Sequence, residues 1–348
     1  MSTVLVTGAA GVLGSAVVEA LSEHFVIGLA RSEPPGAGSE VRHADVSEPR
    51  LGLSESDYAY LAERVDCVVH CAAVSTYAAR RDEMRKVNVG GTENVLGFCA
   101  DAGASLYHMG TALDADDEAA AAPAGSRPVT REDSPFSRAA YLESKRDAER
   151  LVRTSGLRAS ALRPTIVIGD SATGATPRFQ AVHTLVRFLL EDSYGVVPGA
   201  PEDAADYLPR DTIAHAVRVL IERDEVPPVV WLTAGDEAPT VHRVIELIVD
   251  YGREIGIEQD FPRFMDPEVI DRLVRPALVP ALPHRERQRF EYVIEFATAL
   301  SSGRVFPSHL PQLADGMHAP SRADLENALV SSLRYWGQRT QLRPRTAA

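Results

Sequence analysis

Tyr141 and Lys145 stand four residues apart in Tyr141-Leu142-Glu143-Ser144-Lys145, at the start of a stretch that keeps helical spacing through Ala148, Glu149 and Leu151. Residues four apart project from one helix face, so a phenol and an ammonium are brought side by side. A phenol alone is a poor acid or base near neutral pH; a neighbouring ammonium stabilises its phenolate and brings proton exchange within range. That pair suits a carbon that exchanges a hydride, because the attached oxygen must then gain or lose a proton. Thr111 follows the apolar run Ser105-Leu106-Tyr107-His108-Met109 and Gly110, which places a hydroxyl at a strand end where it can hydrogen-bond the same oxygen. Tyr-x-x-x-Lys recurs by chance in many helices, so its surroundings decide its meaning.

The first fourteen residues supply those surroundings. Thr3-Val4-Leu5-Val6 reads as a buried strand that runs into Thr7-Gly8-Ala9-Ala10-Gly11-Val12-Leu13-Gly14, and Leu13, Val17 and Leu21 then recur at helical spacing. A strand, a turn with glycines at these positions and a helix form a dinucleotide-binding turn. Gly8 makes the tight turn, Gly11 lets the backbone approach a pyrophosphate, and Gly14 lets helix pack on strand. The second strand, Phe25 to Arg31, decides the cofactor. An acidic residue at its end would hold a ribose 2′-hydroxyl, whereas Arg31-Ser32 offers a cation and a hydroxyl suited to the 2′-phosphate of NADP. The plain alternative is a solvated arginine at a strand end. Asp45, in the short third strand Val41 to Val46, lies where such folds approach the adenine. His70, inside the apolar run Asp66 to Ala73, reads as packed and hydrogen-bonded rather than catalytic. Asn88, among apolar neighbours in Lys86 to Leu96, needs buried partners and is a candidate for a structural or proton-relay hydrogen bond.

Strands and helices alternate with short connections through the sixth strand, Ala159 to Leu162, and Val229 to Thr233 reads as a last strand. This is the pattern of an α/β protein with a doubly wound parallel sheet, the Rossmann fold. The expected organisation is an NADP-binding domain over residues 1–170, with 206–235 returning to it. A smaller, mainly helical substrate-binding region covers 171–348. Apolar periodicity marks helices near Phe179–Leu190, Val241–Val249 and Phe290–Leu300, with Pro276, Pro280 and Pro283 interrupting the chain between the last two. Ser321-Arg322-Ala323-Asp324 reads as a capping box that opens a final helix. The segment Asp114 to Pro128 reads as an exposed loop, as does Ser32 to Ser39.

The 348 residues are 45% apolar with a formal charge of −13. No basic block offsets the acidic excess, which argues against nucleic acid or an anionic membrane surface as partner. No apolar run reaches ~18 residues and no signal-peptide pattern opens the chain, so a cytoplasmic protein without a membrane span is expected. Cys67, Cys71 and Cys99 lack metal-type spacing and read as small core residues in a reducing compartment.

Together these features resemble the extended branch of the short-chain dehydrogenase/reductase superfamily. The likeness covers about the first 235 residues. It rests on Thr7–Gly14, His70-Cys71-Ala72-Ala73, Asn88-Val89-Gly90-Gly91-Thr92, Thr111, Tyr141–Lys145 and Arg163-Pro164. The resemblance implies a catalytic set of Thr111, Tyr141 and Lys145, with Asn88 completing a proton relay. It also implies cofactor contacts from Gly8, Ala10, Gly11, Val12, Leu13, Gly14, Arg31, Ser32, Asp45, Val46, Cys71, Ala72, Ala73, Pro164 and Ile166, and from Lys145 to the nicotinamide ribose. A narrower likeness, carried by Arg163 to Gly174 and Asp206 to Asp211, is to the fatty acyl-CoA reductase and thioester reductase group. It implies NADPH-dependent reduction of a carbonyl or acyl thioester, whether free, CoA-bound or carrier-bound, by a chain compatible with a homodimer. Other readings are an NAD-dependent nucleotide-sugar epimerase or dehydratase and a non-catalytic NADP-binding regulator. Arg272, Arg275, Arg285, Arg287 and Arg289, or Arg334, Arg339, Arg343 and Arg345, read as solvated helix faces or as a basic patch for an acidic carrier.

Overall fold

The computed structural model describes residues 1–31, 40–114, 138–192, 195–301, 303–316 and 318–341. The expected loops 32–39 and 114–128 therefore fall outside the described residues almost entirely, as do Ser32, Arg343 and Arg345. The apolar, β-branched runs pair as anticipated. β1 (Thr3–Thr7), β2 (Phe25–Ala30), β3 (Glu40–His43), β4 (Cys67–His70), β5 (Ser105–Met109), β6 (Ala159–Pro164) and β10 (Val229–Leu232) form one sheet in the order β10-β6-β5-β4-β1-β2-β3. Every pairing in it is parallel. Strand order reverses beside β1, so the carboxyl ends of β1 and β4 open a crevice there, the usual ligand position in such sheets.

The helices α1 (Val12–Ala20), α2 (Glu55–Ala62), α3 (Arg81–Met84), α4 (Gly91–Ala102), α5 (Arg138–Thr154) and α7 (Arg210–Glu222) connect and flank these strands. α3 runs into α4 through a wider turn at Arg85–Gly90 that carries Asn88. In α5, Ala140, Tyr141, Ser144, Lys145, Ala148 and Val152 are buried while Arg146, Arg150 and Arg153 are not. The charged residues thus face water and Tyr141 and Lys145 face the sheet.

The rest forms a second layer. β7 (Ile166–Ile168) pairs with β9 (Tyr207–Pro209) and β8 (Val196–Pro198) with β11 (Arg263–Met265), in two parallel ribbons. Each strand is three residues long, too short for a period-two signal to rise above the surrounding loops. Around them pack α6 (Ala181–Arg187), α8 (Val241–Glu254), α9 (Pro267–Val269), α10 (Arg275–Leu278), α11 (His284–Leu300) and α12 (Arg322–Thr340). Pro276 does not break its helix as the sequence suggests. The chain winds more widely over Ile270–Val274, so Pro276 enters in the first turn of α10, where a missing N–H costs little. Ser321 and Asp324 do form the reciprocal capping box that opens α12. No helix among the described residues is long and apolar enough to cross a membrane.

The segment Gly169 to Gly174, on which the narrower likeness partly rests, meets the last helix. The Gly169 N–H donates to Ser332 Oγ of α12 at 3.1 Å. At Gly174, with φ +69°, a Cβ would lie 2.1 Å from the Ser331 carbonyl oxygen, so only glycine fits.

Candidate functional site

The turn after β1 has the geometry that an anion needs. Gly8 has φ +68°, and a Cβ there would lie 2.8 Å from the backbone of Ala72. A Cβ on Gly14 would lie 2.1 Å from the Gly8 carbonyl oxygen, so α1 can close on the turn only without a side chain at that position. No side chain caps α1 and no acidic residue stands in its first turn. Its N–H groups and dipole are left for a pyrophosphate, and the donors present fit a dinucleotide. Ala10, Gly11, Val12 and Leu13 lie in this turn and helix start.

Around that crevice the other expected contacts fall as follows. Arg31 is exposed directly after β2, close enough for its charge to act on Asp45. Burial opposes ionisation of Asp45, but hydrogen bonds from the Ser47 N–H (2.9 Å) and hydroxyl (2.8 Å), with Arg31 and Lys86 beyond, override it and lower its pKa. Asn94 on α4 donates to the Val46 carbonyl at 2.8 Å and fixes this loop. Its part is absent from the sequence reading, although its place two residues beyond the Gly-Gly-Thr run on the same helix was visible. Cys71, Ala72 and Ala73 are half-buried at the end of β4, Pro164 ends β6 and Ile166 begins β7.

A chain of buried hydrogen bonds joins the turn to the catalytic helix. The Ala72 N–H donates to Thr7 Oγ1 (3.2 Å), which contacts His70 Nδ1 (2.7 Å), while His70 Nε2 contacts Thr92 Oγ1 (3.3 Å). The Thr92 hydroxyl donates to the Asn88 carbonyl at 2.6 Å, so it must accept from His70 Nε2–H, and Nδ1 then accepts from Thr7. His70 is accordingly neutral, with burial first and Lys145 second pushing its pKa down to about 3. It is the packed, hydrogen-bonded residue the sequence implies. Asn88 holds both backbone groups of Val74, accepting at 2.8 Å and donating at 3.1 Å, and donates to Ser144 Oγ at 2.9 Å. Ser144 in turn donates to the Tyr141 carbonyl at 2.7 Å. The structure thus brings Asn88 to α5 through Ser144 rather than to the Lys145 amine.

Lys145 is buried, and its Nζ donates to the Met109 carbonyl at 2.6 Å, two residues before Thr111. Burial lowers its pKa to about 8, against the opposing pull of Cys71 and Glu149. Tyr141 is buried with its ring 5.5 Å from that of Tyr77, which lies 6.1 Å from the ring of Tyr292 on α11. Thr111 is buried and its hydroxyl accepts from the Leu113 N–H at 3.3 Å.

Beneath α5 lies a pair that the sequence reading did not isolate. Arg163 Nη2 on β6 lies 2.5 Å from Glu149 Oε1, with side-chain exposures of only 3% and 13%, and its guanidinium stacks 4.7 Å over Trp231. Two signals were available: Glu149 continues the Tyr141, Lys145 face by another four residues, and a charge inside an apolar strand calls for a partner.

The family model of the NAD-binding male sterility protein matches residues 39–217. The chain belongs to this family, within the extended short-chain dehydrogenase/reductases. It is 29% identical over 236 residues to the trichosetin synthetase PKS-NRPS1 of Gibberella fujikuroi, covering 62% of this chain and 6% of that protein. It is 24% identical over 266 residues to the L-2-aminoadipate reductase large subunit of Candida glabrata, covering 68% of this chain and 18% of that one. The chain therefore spans a small part of the length of these relatives. In fold it resembles the terminal R domain of the myxalamid PKS-NRPS pathway, with TM-score 0.74, 21% identity and coverage of 98% and 92% of the two chains. It also resembles UDP-glucuronic acid 4-epimerase from Bacillus cereus in complex with NAD, with TM-score 0.63, 18% identity and coverage of 97% and 99%. Membership of an NAD-binding family agrees with the glycine turn, the free N-terminus of α1 and the crevice beside β1.

Proposed function

We propose that this chain is an NADPH-dependent reductase that acts on an acyl thioester, or on the carbonyl compound derived from it, with Tyr141 as proton donor. The observation that carries this reading is the buried Lys145 ammonium, held at the Met109 carbonyl one helical turn from Tyr141 and beside the strand end that bears Thr111. Likeness to aminoadipate reductases and to a terminal R domain supports the thioester, and Arg31 in place of an acidic residue supports the 2′-phosphate.

When bound at the crevice, NADPH supplies the hydride. The Tyr141 hydroxyl gives its proton to the carbonyl oxygen as negative charge develops there, and the Thr111 hydroxyl donates a hydrogen bond to the same oxygen. Lys145 stabilises the phenolate left behind. A thioester that gains hydride and proton becomes a hemithioacetal, which releases its thiol and leaves an aldehyde. His70, Thr92 and Asn88 hold α5 and the turn in register.

The test is NADPH consumption with acyl thioesters and with free aldehydes, product aldehyde being trapped as it forms. Thioester turnover that drops about 100-fold or more in Tyr141→Phe is expected, since a positioned acid contributes on that scale. Turnover of aldehydes alone would remove the thioester step. The fold likeness to an NAD-bound epimerase gives the second reading; copurified NAD with no NADPH oxidation would select it.

A further inference from the structure

Four arginines are buried among the described residues, and three of them are paired. Arg163 meets Glu149, Arg210 meets Glu19 and Ser15, and Arg275 meets Asp271, Glu291 and Glu295. Arg275 is thereby removed from the surface set that the sequence suggested for an acidic partner. Arg138 is the exception. It is 9% exposed, and its guanidinium has neither a hydrogen-bond nor an ion-pair partner among the described residues.

Its position gives that exception a meaning. Arg138 opens α5 one turn before Tyr141, and its charge acts on the hydroxyl of Tyr77. Tyr77 is 5% exposed, its ring packs 5.5 Å from that of Tyr141, and its hydroxyl has no hydrogen-bond partner among the described residues either. The carboxylate of Glu295 also acts on Tyr77, but Arg275 engages it at 3.7 Å. The guanidinium and the hydroxyl are not among the polar atoms sealed from solvent, so a ligand can reach both, and a bound anion would supply the counter-ion that Arg138 lacks among the described residues. Two donor-bearing side chains, one charged, thus neighbour Tyr141: Arg138 one turn away on α5 and Tyr77 across the ring contact.

We propose that Arg138 and Tyr77 form a carboxylate-recognising subsite, so that the preferred substrate carries a carboxylate on its acyl portion a few bonds from the reacting carbonyl. The inference rests on the reductase reading and deepens it. A helical turn advances only about 5.4 Å, which suits a group on the acyl chain and not the phosphate far along a pantetheine arm.

The test uses N-acetylcysteamine thioesters, which lack phosphate, in two series of matched length. One comprises the mono-thioesters of succinate, glutarate and adipate, the other those of butyrate, valerate and hexanoate. At one or more lengths kcat/KM is expected to favour the carboxylate by about tenfold or more, the worth of a charge-assisted hydrogen bond. Arg138→Gln should erase that ratio, Arg138→Lys should keep part of it, and Tyr77→Phe should reduce it. Equal kcat/KM at every length, or a ratio that survives Arg138→Gln, overturns the proposal. A neutral CoA thioester favoured over its N-acetylcysteamine counterpart, with the difference lost in Arg138→Gln, assigns the subsite to phosphate and overturns it as well. Calorimetric binding of glutarate and adipate to the NADP-loaded protein, lost in Arg138→Gln, reads the subsite without turnover. A protein that binds these dicarboxylates yet reduces no thioester refutes the reductase reading alone, and absence of binding refutes the subsite.

Discussion

In the proposed reaction, Lys145 would set the pH window. Burial places its pKa at about 8, below the ordinary lysine value, so its ammonium predominates at neutral pH and is lost as pH rises through that value. If the ammonium stabilises the Tyr141 phenolate, kcat/KM falls above pH 8 with the slope of a single proton. Lys145→Arg keeps its charge throughout, so any residual activity should show no such limb; a pH profile of both proteins checks this. The proposed choice of NADPH rests on Arg31, after β2. Arg31→Asp should shift the ratio of kcat/KM values for NADPH and NADH towards NADH by about tenfold or more, through loss of a charge-assisted contact to the 2′-phosphate. An unchanged ratio would mean that Arg31 is only a solvated residue at a strand end.

At the scale of elements, α5 is the piece that must not move, because Tyr141, Lys145 and Arg138 all ride on it. Its attachments include the Asn88 to Ser144 hydrogen bond, the Lys145 to Met109 hydrogen bond and the Arg163 to Glu149 pair lower down. Glu149→Gln removes the carboxylate that the Arg163 guanidinium, 2% exposed as a residue, meets on α5, and should cost about 3–5 kcal/mol of unfolding free energy in a urea titration. The double variant Glu149→Leu/Arg163→Met should recover part of that loss, since it removes both charges of the pair together. If the single variant is as stable as the parent, the pair does not anchor the helix. The sequence reading put Tyr141 and Lys145 on one face from spacing alone, but it did not identify the strand residue that Glu149 meets. Helical periodicity says which side of a helix is buried; it carries no information about the partner across the interface.

For the whole molecule, the last helix is bound to the loop Gly169 to Gly174 that follows β7 of the β7–β9 ribbon. A side chain at Gly174 meets the Ser331 carbonyl and also forces a left-handed backbone on an ordinary residue, which alone costs about 1–2 kcal/mol. Gly174→Ala should therefore lower Tm by several degrees and loosen α12, read as faster amide exchange at Leu325, Leu329 and Leu333. Unaltered exchange there would show that the loop and helix are independent. A segment that looks in sequence like a signature of the reductase group thus has a packing duty in this chain.

The sequence by itself determined the features that depend on near neighbours. These are the glycine turn between β1 and α1, the parallel strands with their alternating helices, the shared face of Tyr141 and Lys145, and the capping box at Ser321. Each rests on steric or hydrogen-bonding rules acting over a few residues, so residue type and spacing suffice. Only the tertiary structure decided that His70 links Thr7 to Thr92, that Asn88 reaches Ser144, and that Arg163 is neutralised by Glu149. It alone also left Arg138 and Tyr77 without hydrogen-bond or ion-pair partners among the described residues, beside Tyr141. Which charges meet depends on how long connections close and which surfaces then fill the same volume, and no short-range pattern records that outcome.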